Sequence, residues 1–243
     1  MKPSNIFMTG NWEDLIISTF EIDKNILEKY LPYDTELDLY HGKALLSTVA
    51  FTFSKVSFYG IKVPFHQQFG QLNFRIYVKS KIDGEKGVVF LKEFAPKPLI
   101  AFVASTFYNE PYQYKKIRST KSILENQINM EYAYKNIHIQ ATANRLTRSL
   151  KENTLEHFIV DRYIAFIKGS ETKTYQYTIG HKPWKLYNVK TSYTDDSVLS
   201  LLPHEFNNAK LISTYFVDGS EVTVRKGVLQ QSNMIQNIVT AIN

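Results

Sequence analysis

Alternation of apolar and polar positions is the dominant pattern in this chain, and it predicts strands. From Asn73 to Lys79, Phe74, Ile76 and Val78 point one way while Asn73, Arg75 and Tyr77 point the other. Ile128, Met130, Tyr132 and Tyr134 alternate with polar residues up to a Lys135-Asn136 turn. Ile137, Ile139, Ala141 and Ala143 then complete a hairpin. Asp14–Ile22 and the largely apolar Ala44–Phe53 read as two further strands, and Gly87–Phe94 as another after the Asp83-Gly84 turn signal. His157–Ile167 and Thr172–Ile179 read as strands too, and Leu211–Val217 and Val222–Arg225 as a pair flanking Asp218-Gly219.

Helical spacing is confined to short pieces. Asp23 can cap a helix whose Ile26/Tyr30 and Leu27/Leu31 pairs recur at i,i+4, and Pro32 stops it. Asp195, Asp196 and Ser197 can start a short helix over Val198–Leu202 that Pro203 closes. Pro98–Tyr108 reads as a short buried helix and Leu229–Ile242 as a C-terminal one. With no low-complexity linker and no repeat, the expectation is a single domain over residues 1–243. Its class is α+β, mainly antiparallel β, built as a barrel or strongly curved sheet.

Composition narrows the chemistry. The 243 residues include no cysteine, which excludes disulfides, thiolate metal sites and a cysteine nucleophile. The six histidines are scattered without ligand spacing, so no metal site and no cofactor is expected. Glycine-rich phosphate loops, G-x-S-x-G and H-E-x-x-H are all missing. The formal charge of +6 suggests an anionic partner, but the cations are dispersed; a small anion fits better than a nucleic acid. The longest apolar run, Leu99–Ala104, falls well short of a membrane span, and the first residues lack the apolar core of a secretory signal. A cytoplasmic protein without a membrane partner is the expectation.

Three groups are candidates for binding or catalysis. Arg75 shares its strand face with Asn73 and Tyr77; facing inward, it could hold a carboxylate between two hydrogen-bonding neighbours. The alternative is a solvent face or a structural ion pair. Arg162, if its segment is a strand, shares a face with Phe158, Val160, Ile164 and Phe166 and needs an acid or a ligand. Glu110, beside Pro111, is one acid that could pair with either arginine, or lie in water. Lys115-Lys116 is either a surface pair or a Schiff-base lysine with a cationic neighbour that favours the free amine.

Taken together, NWEDLIISTFEIDKNILEKYLPYDTELDLYHGKALLSTVAF, QLNFRIYV, LEHFIVDRY and HKPWKL resemble the uncharacterised YqjF-like family, a relative of acetoacetate decarboxylase. The resemblance implies a cone-shaped antiparallel β-barrel with a few short flanking helices, an interior small-molecule pocket, and in many relatives an oligomer. It implies a small carbonyl or carboxylate metabolite as partner. It also aligns Tyr114-Lys115-Lys116 with the decarboxylase's Tyr-x-Lys-Lys, making Lys115 the imine-forming residue and Lys116 its neighbour. In that decarboxylase an adjacent cation activates the nucleophilic lysine. Departures count against a true acetoacetate decarboxylase: LLSTVAF and YGIKVP contain no acid where that enzyme has carboxylates. The relatives' acid two residues before the asparagine is here Gln71, and a non-enzymatic binding module of the same fold is the alternative.

Overall fold

The structure is a computed structural model that describes residues 5–62, 68–96 and 112–230. In chain order its strands are β1 (Ile6–Ile22), β2 (Thr35–Leu37), β3 (Ala44–Phe58), β4 (Ile61–Lys62) and β5 (Gln68–Ser80). Next come β6 (Lys86–Ala95), β7 (Tyr112–Tyr114), β8 (Arg118–Leu124), β9 (Gln127–Tyr134) and β10 (Ile137–Ser149). The last are β11 (Ile164–Ser170), β12 (Lys173–His181), β13 (Lys185–Thr194), β14 (Lys210–Arg225) and β15 (Val228–Leu229). Strands dominate and helices are few, as the alternating pattern predicts.

The strand order β12-β11-β6-β5-β3-β1-β14 returns to its start, because β14 also pairs with β12 through Ile179–Val224, Gly180–Thr223 and His181–Val222. Pairing therefore closes on itself in a ring. Beyond β14 the sheet continues through β13, β10, β9 and β8 as an arm. Both faces of the ring strands are apolar enough to be covered. One core cluster draws on every ring strand, with Leu15, Val49, Tyr77, Val88, Ala165, Tyr177 and Val222 among its members, so it fills the inside of the ring. The other joins Phe74, Ile76 and Val78 to Ile128, Met130 and Ile139 of the arm, and so lies between ring and arm. The two periodic faces of β5 divide between these clusters: Arg75, Asn73 and Tyr77 face the ring interior.

Three expectations need correction. His157–Ile167 is not one strand: a helix covers Leu155–Val160 and β11 starts at Ile164. Thr154 supplies the N-cap by accepting from the His157 amide, and Glu156 stands in the first turn where the helix dipole favours an acid. The segment from Leu211 to Arg225 is one continuous strand with no hairpin at Asp218-Gly219. Gly219, at φ +80°, lies opposite Glu13, and Asp14 next to Glu13 also has positive φ, so the Asp-Gly signal marks a local backbone distortion inside the β1–β14 ladder, whose register runs on unbroken. A Cβ at Gly219 would collide with the Trp12 carbonyl oxygen. The Val198–Leu202 helix exists in tighter form, as 3-10 turns over Asp196–Leu201 with Asp195 accepting from the Ser197 amide. Pro98–Tyr108 and all but the start of Leu229–Ile242 lie outside the described residues, and Val228–Leu229 pairs as a strand with β12. No helix among the described residues is long and apolar enough to cross a membrane.

Candidate functional site

The ring interior contains a narrow chamber walled by Trp12, Phe51, Phe53, Phe90 and Tyr177, with about 40 Å³ open to the centres of water-sized molecules. A deeper and tighter cleft, with about 10 Å³ open to the centres of water-sized molecules, continues from it past Trp12, Phe51, Asn73 and Phe90, and ends at Arg75, Arg162 and Trp184. Gln71, Asn73 and Arg75 follow one another along a single face of β5, so strand geometry spaces them roughly 7 Å apart along the chamber.

Arg75 is 6% exposed. Its Nη2 donates to the Ile159 carbonyl at 2.8 Å, and its guanidinium lies 5.7 Å from the centre of the Tyr77 ring. Among the described residues it forms no salt bridge, and its Nε is buried without a hydrogen-bond partner. Arg162 is equally buried but compensated: its Nη1 lies 2.8 Å from Asp38 Oδ2, charge to charge though poorly aligned as a hydrogen bond. Its Nε donates to the Phe158 carbonyl, and its guanidinium covers the Phe158 ring at 4.4 Å. Burial pulls the Arg162 pKa down and Asp38 opposes that, but a guanidinium remains protonated throughout. The two arginines thus meet the last carbonyls of the Leu155–Val160 helix, where the dipole favours cations. Arg162 keeps the apolar surroundings expected from its sequence. It acquires them by helical spacing from Phe158 and a loop position, not by strand alternation.

Tyr77 is buried beneath both guanidiniums, and its hydroxyl pairs with Ser47 Oγ at 2.6 Å, which in turn pairs with Thr19 Oγ1. Its phenol is therefore tied into the wall. Asn73 lines both compartments, and its Oδ1 is buried without a partner among the described residues.

The structure does not bring the lysine pair to this chamber. Lys115 packs on the opposite face of β6, with Nζ 5.1 Å from the Phe94 ring centre and donating to the Tyr134 hydroxyl at 3.1 Å. That contact lowers the Tyr134 pKa. Lys92 flanks the same Phe94 ring, and burial, reinforced by Lys115, lowers its pKa. Lys116 is exposed. Glu110 lies outside the described residues.

Glu93 is the site residue that alternation misses. It is 4% exposed, lines the chamber, and accepts from Gln71 Nε2 at 3.0 Å. Strict alternation along β6 would group it with Val89 and Leu91, away from Phe90. A register shift intervenes: Arg75 pairs with Phe90 but Phe74 with Lys92, and the extra residue returns Glu93 to the side of Phe90. The acid missing at position 71 is thus supplied from the neighbouring strand, opposite Asn73. His181 and Trp184 form a packing corner: their rings stack 4.0 Å apart, Tyr163 stacks on the other face, and Trp184 closes the deep compartment. Burial lowers the His181 pKa. Among the described residues no three His, Asp or Glu side chains converge as metal ligands.

The ring and its interior have counterparts among solved structures. Acetoacetate decarboxylase from Legionella pneumophila superposes with a TM-score of 0.62 at 13% identity, over 95% of this chain and 90% of that one. The enduracididine biosynthesis enzyme MppR complexed with pyruvate superposes at 0.60 and 11% identity, over 96% and 93%. At such identity the likeness concerns the fold: this is an acetoacetate-decarboxylase-like architecture. In sequence the chain is 27% identical over 198 residues to the uncharacterized protein YqjF of Bacillus subtilis, covering 79% of each. Most of the chain that builds the chamber falls within the span of a family model described as an uncharacterized conserved protein, which matches residues 9–218; the chain belongs to that family, DUF2071.

Proposed function

We propose that the ring is a β-barrel whose chamber binds a small carboxylate metabolite, with Arg75 as the anion anchor and Asn73 beside it to orient the ligand. Tyr77 supports the two guanidiniums from below, and Arg162 closes the deep end. The observation that carries this reading is Arg75 itself: a buried cation with no carboxylate partner among the described residues and an unused Nε donor, at the end of an aromatic-walled cavity. Burying such a charge is costly unless something compensates it. The Ile159 carbonyl offsets part of that cost, and a bound carboxylate would supply the rest. Pyruvate in the structural neighbour MppR supports the size and charge class.

The test is binding of propionate and other short carboxylates by the wild type and Arg75→Met. Saturable binding should weaken at least about tenfold in the variant while the melting temperature holds or rises, since an uncompensated buried charge is gone. A variant that melts far earlier, from a wild type that binds none of these acids, would make Arg75 a helix-capping residue and remove the proposal. Imine chemistry at Lys115 is a second reading, favoured by the neighbouring amine of Lys92, since two ammonium groups around the Phe94 ring repel. It requires a site outside the chamber. Borohydride trapping with small aldehydes and keto acids should then label Lys115 in preference to other lysines; uniform labelling would end it.

A further inference from the structure

The chamber's two ends differ in hydrogen-bonding character. At the deep end stands a donor, Arg75 Nε, and the indole Nε1 of Trp12, which borders both compartments, is a second; both are buried without partners among the described residues. Toward the mouth stands an acceptor, Gln71 Oε1, and Asn73 Oδ1 lies between it and Arg75 on the same strand face; both are buried and without partners among the described residues. The Gln71 amide is oriented by its own chemistry, because its Nε2 must donate to Glu93 and its Oε1 is therefore turned away from that carboxylate.

From this polarity we infer that the ligand is an amphoteric acid: a carboxylate at one end and, about one strand repeat away, a group bearing N–H or O–H donors, such as an amine or a hydroxyl. The inference rests on the proposed anion site at Arg75 and extends it to the other end of the ligand. A keto acid brings only acceptors to that end. It would leave Gln71 Oε1 and Asn73 Oδ1 buried without donors, and a site built to pair with a donor rejects analogues that lack it. Hydroxy or amino acids of the same skeleton would satisfy both acceptors.

Calorimetric titration with skeleton-matched acids tests this: 4-oxopentanoate against 4-hydroxy- and 4-aminopentanoate, and acetoacetate against 3-hydroxy- and 3-aminobutyrate. The donor-bearing member of at least one series should bind at least about tenfold more tightly than its keto partner. Gln71→Leu should shrink that ratio toward one while binding of the plain carboxylate, pentanoate, stays within about threefold. Because Gln71→Leu alters packing, Gln71→Glu provides the second variant: it keeps acceptors at the position and should retain the preference for the amino acid. Equal binding of keto and donor-bearing acids, or a preference that survives Gln71→Leu, overturns the inference while leaving Arg75-dependent carboxylate binding in place. Failure of every acid to bind, pentanoate included, overturns the anion site as well.

Discussion

A buried cation either belongs to a pair or waits for one, and the two arginines of the chamber illustrate both cases. Arg162 has Asp38 at 2.8 Å, and the pair is almost entirely withdrawn from water. Arg162→Ala should therefore destabilise the protein by about 3–5 kcal/mol, because the Asp38 carboxylate is left buried with the more distant, exposed Lys86 at 3.8 Å as its remaining salt-bridge partner among the described residues. Replacing both partners with apolar side chains, Arg162→Met with Asp38→Leu, should recover most of that loss in urea unfolding. An equal loss in the single and double variants would show that the damage is packing, not charge. Arg75 was legible in the sequence because its strand alternates without interruption, so one residue's direction fixes its neighbours'. Glu93 was not legible, because a single extra residue in β6 reverses the phase and nothing in VVFLKEFA announces where the bulge falls.

At the scale of the element, the Leu155–Val160 helix carries more of the site than its length suggests, since its last turn meets both guanidiniums. It is anchored by Glu156, which accepts two 2.6 Å hydrogen bonds from Arg148 and one from the Lys151 amide. The Arg148 contacts lower the Glu156 pKa most; burial opposes them and the Lys151 amide adds to them. A carboxyl held lower in the folded state than in the unfolded one contributes stability above its unfolded pKa, roughly 4.3. That contribution is lost as pH falls through the folded value. Glu156→Gln should thus cost about 1 kcal/mol at pH 7, with Arg148 half in water, and the difference from wild type should vanish in strong acid. A difference independent of pH would mean that the amide replaces the carboxylate's geometry and its charge is idle. The same helix explains why His157–Ile167 misleads as a strand: the apolar run Phe158–Val160 suits either element, and the deciding signals are the i,i+3,i+4 spacing of Leu155, Phe158 and Ile159 and the Thr154 cap before it. Likewise Asp218-Gly219 carries a turn's composition but lies inside a strand of 16 residues, because long-range pairing with β1 outweighs local preference.

Closure of the ring is a property of the whole molecule, and no local pattern encodes it. Its seams differ greatly in strength. β1 pairs with both β3 and β14 over nearly its entire length, whereas β11 joins β6 through the single pairing Ala165–Val88 and β12 joins β14 through three. Both weak seams border the chamber, for Ala165, Tyr177, Ile179 and Val224 all line it. Gly87 marks the weaker one: a Cβ there would stand 2.7 Å from the Ile164 carbonyl oxygen and 2.8 Å from the Phe166 ring, so backbone must move to admit it. Gly87→Ala should cost about 1–3 kcal/mol, and the loss should be local. Hydrogen exchange should accelerate across β11 and β12 while amides of β1, β3 and β14 keep their protection, and carboxylate binding should weaken with the opened wall. Uniform acceleration in every ring strand would instead mean that the ring opens only as a unit, and the chamber's access would then depend on its mouth rather than on its seams.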